Sequence, residues 1–420
     1  MKEETVTGEY VERRNGNPAA YRQRVLYLIV GIVAMLFAGV IYAWSILKAP
    51  LAAELGFQTR ELALNFTLTM CFFCLGGFLG GQIAKRIGTR PVIIGGGILA
   101  GAGFLLSSRL SAGSALPLYL SYGLLAGLGI GIAYVVTIST VSAWFPDKKG
   151  LCSGCLMMGF GASTLILGNL ASALIERLGW RPTYLLLGIA VGIVIVLAGL
   201  IVRLPGAGIR LPQAAPKRKA APEEAFMARD FTTGEMIRRF SFWRAFLCIV
   251  FLAAVGNTVI SFARDLALSV GASEGLATTL VGVLSVCNGL GRVATGAMFD
   301  ALGRRRSMLI ANIVTILAAF VTLAAVRAGS LPLGILGLCL TGLSYGSCPT
   351  FTSAFTAAFY GSKYFPTNFS VMNFNLMGAS FIATAANGLL STYGNYTAPF
   401  VLLLSLSLAA FVLNLSIRRP

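Results

Sequence analysis

One full positive charge, Arg292, stands well inside an apolar, helix-length run between Ser273 and Ser307. A charged side chain at the centre of a hydrocarbon-spanning helix costs roughly 2.5 to 3.5 kcal/mol on insertion scales, so it faces a protein interior or a wet cavity. Its planar guanidinium offers two parallel donors that match a carboxylate. The nearest acid on the same segment is Asp300, about 12 Å along a helix at 1.5 Å per residue. Glu54, Glu61, Glu176, Asp265 and Glu274 all fall near the ends of apolar runs. Arg292 therefore reads as an arginine awaiting an anionic ligand; the alternative is a structural arginine paired with a carboxylate. Asn288 precedes it by one helical turn on the same face. It reads equally as a ligand contact or as a helix-to-helix hydrogen bond.

Other chemistries lack their residues. The chain has no histidine, and no set of nucleophile, base and orienting group is visible, so no enzyme is expected. Cys71-x-x-Cys74 and Cys152-x-x-Cys155 have the spacing of redox or metal pairs. Both lie in apolar, glycine-rich helix with no second pair close by, and they read as small residues at helix contacts. No metal and no cofactor is expected. Gly123, Gly127 and Gly131, four residues apart, suit close helix packing. A phosphate cradle is not indicated, because no strand precedes them and no Lys-Ser/Thr follows.

The surroundings of Arg292 are those of a membrane. Of 420 residues 56% are hydrophobic and only 11% charged, with a mean hydropathy of +0.80; soluble chains are about 25% charged. Apolar runs predict an all-α integral membrane protein with twelve spans at about 25–47, 61–84, 91–108, 116–143, 150–175, 182–202, 242–266, 275–300, 307–326, 331–358, 365–390 and 396–417. A polar tail (1–24) leads into a first six-helix bundle (25–202). A cytoplasmic linker (203–241) carries Pro205, Pro212, Pro216, Pro222 and the run Lys217-Arg218-Lys219, with a short amphipathic piece near Phe231 to Arg239. A second bundle (242–417) follows. The tail is polar and mixed in charge, so no cleavable leader is expected. The net charge of +18 is not a nucleic-acid signature: 25 of the 33 Lys and Arg fall on one side of the predicted membrane. That asymmetry puts both termini in the cytoplasm of a multi-pass inner-membrane protein, with lipid as its surroundings. A monomer is expected.

The two bundles repeat one another. Gly81, Lys85, Gly88 and Arg90 return 215 residues later as Gly296, Asp300, Gly303 and Arg305, and Gly-Ala-Ser at 161–163 returns at 378–380. Asp300 with Arg304 and Arg305, and Lys85 with Arg90 in the first copy, read as a cytoplasmic gate or structural clamp. Parallel six-span repeats with a mid-membrane site between them describe one large class of carriers.

Gly296-x-x-x-Asp300-x-x-Gly303-Arg304-Arg305 resembles the cytoplasmic loop signature of the major facilitator superfamily; the first copy departs from it, with Lys85 where that family has Asp. Four passages are similar to the oxalate/formate antiporter family, akin to the monocarboxylate porters: Tyr42-Ala-Trp44-Ser45, Trp144-Phe-Pro-Asp-Lys-Lys-Gly150, Asp230-Phe-Thr-Thr-Gly-Glu-Met236 followed by Phe242-Trp243, and Asn288-x-x-x-Arg292. The resemblance implies carboxylate transport by alternating access with Arg292 as the anion ligand. It also implies that Tyr42, Tyr134 and Tyr345 wall the cavity, each of which could instead be core. Two departures bear on the substrate. The family's second cation, a lysine in span 11, falls at Leu376. The acid that proton-coupled relatives carry four residues before the arginine is here Asn288. A small monocarboxylate of the formate, lactate or pyruvate type is the expected substrate; oxalate or an unrelated solute is the alternative. A fixed positive charge argues against an organic cation, and the linker is too short to be a sensor domain.

Overall fold

The computed structural model describes residues 18–146, 149–206, 209, 211, 230–361 and 364–417. Among these there is helix and no strand. Twelve helices are long and apolar enough to cross a membrane. In the first half they are spans 1 to 6: Tyr21–Leu55, Thr59–Ile87, Thr89–Ser107, Leu116–Ser142, Cys152–Leu178 and Trp180–Ile201. In the second half they are spans 7 to 12: Phe240–Ser269, Glu274–Phe299, Ala301–Ala328, Leu331–Tyr360, Thr367–Tyr393 and Thr397–Ser416. Span 1 outruns its apolar stretch: helix begins at Pro18 and continues to Leu55, past Lys48 and through Pro50. The predicted tail lies outside the described residues up to position 17, as do Lys217-Arg218-Lys219 and Lys363.

Glycine sets how closely the helices approach. Gly127 and Gly131 of span 4 lie on the backbone of span 2 at Thr69 and Phe73, leaving no room for a Cβ. Gly129, on another face, meets Gly96 and Ala100 of span 3 in the same way. The second half repeats this 215 residues on. Gly342 and Gly346 of span 10 lie on the backbone of span 8 at Leu284 and Asn288. Span 10 is thus pressed against the very stretch of span 8 that carries Asn288 and Arg292. The signature loops are equally tight. Gly88 (φ 88°) and Gly303 (φ 73°) turn the chain from span 2 to 3 and from span 8 to 9 in the left-handed region that glycine enters without steric cost.

The halves meet along two seams. In one, Thr67 of span 2 donates to the Ser380 carbonyl of span 11 at 3.0 Å and bonds the Thr384 hydroxyl, and the Cys74 thiol points to the Asn373 carbonyl. In the other, spans 5 and 8 approach backbone to backbone: a Cβ on Gly161 would lie 3.1 Å from the Gly289 Cα. Several spans are irregular along their length. Span 1 tightens to a 3-10 turn over Gly39–Ala43. Span 7 breaks at Phe262 (φ −134°, ψ 21°). Span 11 is interrupted at Asn373 and Phe374, between helices Phe365–Met372 and Asn375–Tyr393.

The described end of the linker is a strap. Thr232 and Glu235 form a capping box for a short helix, Thr233–Ile237, where the sequence predicts an amphipathic piece. Phe231 N donates to the Tyr360 carbonyl at 3.0 Å, and Asn368 Nδ2 donates to the Phe231 carbonyl at 2.9 Å. The Thr233 hydroxyl donates to Asn368 Oδ1 at 2.8 Å. The Asp230-Phe-Thr-Thr-Gly-Glu-Met236 passage thereby ties the linker to the adjoining ends of spans 10 and 11.

Candidate anion site

Span 8 begins where Ser273 caps it by accepting from Leu276 N. About four turns on, the helix carries Asn288, fully buried, and Arg292, 2% exposed. Arg292 Nε donates to Asn288 Oδ1 at 3.2 Å and Nη1 donates to the Met157 carbonyl of span 5 at 2.8 Å. Both acceptors are neutral. Among the described residues no carboxylate pairs with this guanidinium. Asn288 Nδ2 is buried without an acceptor. The Asn288 amide therefore holds the arginine with its oxygen and keeps a donor spare.

The guanidinium carbon lies 5.9 Å from the centre of the Phe160 ring of span 5, within cation-to-ring range. Around Phe160 stand Tyr134 at 4.9 Å, Tyr42 at 5.1 Å and Phe73 at 6.0 Å between ring centres, with Phe73 and Tyr134 5.1 Å apart. Tyr345 closes the group from the second half, its ring 5.9 Å from that of Tyr42. Arg292 is within electrostatic reach of the Tyr134 and Tyr345 hydroxyls. The five residues predicted for the site, Arg292, Asn288, Tyr42, Tyr134 and Tyr345, are thus gathered at the junction of spans 1, 4, 5, 8 and 10, and all are buried. Phe73, Phe160 and Asn257 belong to the same cluster and were not singled out from sequence. Asn257 had a signal: it stands 215 residues after Tyr42, at the matching place in the repeat. Phe73 and Phe160 had none, since aromatic residues are common in apolar spans.

A hydrogen-bond chain extends from this cluster. The Tyr42 and Tyr345 hydroxyls are 3.2 Å apart, and Tyr345 donates to Asn257 Oδ1 at 2.6 Å. Asn257 Nδ2 donates to the Leu376 carbonyl at 3.3 Å and to Ser380 Oγ at 3.1 Å. Leu376, where the family lysine was expected to align, has its backbone tied into this chain and its side chain buried.

The gate residues divide. Lys85 Nζ donates to Thr367 Oγ1 of span 11 at 2.9 Å, a bond between the halves. Arg90 turns back into its own half, onto the Gly199 and Leu200 carbonyls of span 6. Arg304 reaches the Ile417 carbonyl and lies 5.2 Å from the Phe359 ring centre, both within the second half. Arg305 is exposed, and the Asp300 side chain lies outside the described residues. The other end holds an ion pair that sequence did not suggest: Lys48 Nζ of span 1 and Asp265 Oδ2 of span 7 are 2.8 Å apart. Among the described residues no cluster of three potential metal ligands occurs.

Comparison with known proteins agrees with this architecture. A family model described as Major Facilitator Superfamily matches residues 27–270 and 246–420. An "Oxalate:formate antiporter" of Oxalobacter formigenes is 30% identical over 312 residues, covering 72% of this chain and 70% of its own. An "Uncharacterized MFS-type transporter YhjX" of Escherichia coli K12 is 27% identical over 363 residues, 84% of this chain and 85% of its own. "Monocarboxylate transporter 12" of Mus musculus is 27% identical over 366 residues, 81% and 74% respectively. Among solved structures, a D-xylose-proton symporter superposes with a TM-score of 0.70 at 14% identity, covering 94% of this chain and 97% of its own; that likeness speaks to the fold.

Proposed function

We propose a substrate class for a chain whose family is established: it belongs to the Major Facilitator Superfamily, and it moves small monocarboxylates across the cytoplasmic membrane by alternating access. The family makes it a multi-pass membrane transporter and not an enzyme. The observation that carries the substrate is the state of Arg292, buried within span 8 against neutral oxygens, with no carboxylate partner among the described residues. A monoanion seated there leaves the loaded site neutral. The names of the oxalate:formate and monocarboxylate relatives support an organic anion.

The oxalate relative favours a second reading, a dianion. Charge counting opposes it. Burying an unpaired charge costs several kcal/mol, so a dianion in this cavity calls for two cations. Leu376 supplies none, and Lys48 is already matched by Asp265. Asn288 also leaves the site without a carboxylate to carry a proton, so exchange of one carboxylate for another is the simplest mode. The ends bearing Lys85, Arg90 and Arg304 face the cytoplasm by the positive-inside rule, and a monomer suffices, since both halves of the site lie in one chain. Uptake into proteoliposomes across labelled formate, acetate, lactate, pyruvate and oxalate, with and without internal substrate, tests the reading. Uptake of oxalate above every monocarboxylate would overturn it.

A further inference from the structure

The hydrogen bonds between Tyr42, Tyr345 and Asn257 have a fixed direction. The Leu376 carbonyl can only accept, so the Asn257 group facing it must be the amide nitrogen. Ser380 Oγ donates its own proton to that carbonyl at 2.8 Å and so accepts from the same nitrogen. Asn257 therefore presents its oxygen to Tyr345, and the single phenolic proton of Tyr345 is committed to it. The Tyr345 oxygen can then only accept from Tyr42, which commits the Tyr42 proton in turn. What remains on the Tyr42 oxygen is lone pairs, and the Tyr42 ring and the Arg292 guanidinium both lie against Phe160.

We propose that Asn257 is a positioning residue that makes the tyrosine pair a hydrogen-bond acceptor, and that the site thereby prefers 2-hydroxy acids over the corresponding 2-oxo acids. This rests on the carboxylate reading of Arg292. With its carboxylate on the guanidinium, a 2-hydroxy acid offers a hydroxyl proton to the Tyr42 oxygen. A 2-oxo acid offers a second set of lone pairs there. It binds only if Tyr42 abandons Tyr345, which leaves a buried acceptor unmet. Asn257 touches no ligand in this scheme; it acts through Tyr345.

The two tyrosines sit in opposite halves, so the chain of bonds also crosses the junction at mid-membrane. Its donor sense is dictated from the span 7 and span 11 side, because the amide is held there by two acceptors. Replacing the amide frees the Tyr345 proton to turn toward Tyr42. The Tyr42 proton is then released toward the ligand, and the preference inverts.

The test is binding of L-lactate and of pyruvate to the purified full-length protein, followed by calorimetry. Wild type is expected to bind lactate about tenfold tighter than pyruvate, the scale of one mismatched hydrogen bond. Asn257→Leu and Tyr345→Phe, which release the Tyr42 proton by different routes, should both invert the ratio, to about tenfold in favour of pyruvate. Tyr42→Phe should bring it close to one. A general loss of packing weakens both ligands and leaves the ratio alone, so inversion separates positioning from mere structure. An unchanged ratio in Asn257→Leu and Tyr345→Phe, with both acids still bound by wild type, overturns this inference and leaves the carboxylate reading standing. Failure of wild type to bind either acid overturns both.

Discussion

Among the described residues, Lys48 and Arg292 are cations buried where the halves meet, and the chain treats them differently. Lys48, near the end opposite the basic loops, has Asp265 at 2.8 Å. Arg292, inside span 8, has an amide oxygen and a peptide carbonyl. Both face the same desolvation cost, and a lysine or arginine is rarely buried unless paired. The lysine finds its counter-charge inside the protein; the arginine finds only dipoles. The matched pair serves to hold span 1 to span 7. On the proposed reading the unmatched one is electrically incomplete until an anion enters, which is how a carrier could use the same groups to bind and to release.

The comparison breaks most readily at Arg292. Arg292→Ala should lower carboxylate uptake at least about thirtyfold, since truncating one member of a buried charge pair costs 2 to 5 kcal/mol. Arg292→Lys should fall nearly as far, because it keeps the charge but loses the paired donors. Both proteins should still insert, as membrane fractionation would show; wild-type uptake by Arg292→Ala would end the central claim. Leu376→Lys should sharpen the contrast by adding a second unmatched cation. Competition against labelled substrate should then show oxalate gaining about tenfold relative to the native monocarboxylate. A wild type that already takes oxalate well would defeat the charge count.

At the matched pair the expected effects are smaller and unequal. Asp265→Asn leaves Lys48 buried without its counter-charge and should destabilise the protein by about 1 to 2 kcal/mol, less than a fully buried pair because Asp265 is partly exposed. Lys48→Met removes the charge that needed matching and should cost about 0.5 kcal/mol or less. Thermal unfolding in detergent reads both, and equal losses would mean that matching is not what the pair provides. The least effect belongs to Lys85→Ala. Its bond to Thr367 is exposed and joins a charge to a neutral hydroxyl, so uptake should change less than about twofold.

Legibility in the sequence follows the same division. Twelve apolar runs and a one-sided distribution of lysine and arginine are enough to read the spans, because lipid tolerates little else. Arg292 was readable because a charge in such a run has no trivial explanation. Asn257 and Phe160 were not: a neutral amide or a ring is ordinary in a helix, and its role depends on which helix of the other half lies opposite. Lys48 and Asp265 were each visible as charges near a span end, but nothing in the sequence pairs spans 1 and 7 at that level. Arg90 shows the converse. Its place in the repeat suggests a gate or a structural clamp, and the packing of span 3 against span 6 gives it carbonyls within its own half.

The bare contact of Gly161 on Gly289 has a mechanical consequence. Two backbones that touch without intervening side chains form a fulcrum, and a rocking lever moves least at its axis. Arg292 lies three residues beyond Gly289, about 4.5 Å along the helix, so an anion seated there as proposed would stay close to that axis while both mouths swing through the longer arms. Cargo need travel hardly at all for the water on either side of it to change. Spin-label distances across the two ends should differ between states by far more than distances taken beside Gly289; comparable changes at both would show that the pivot lies elsewhere.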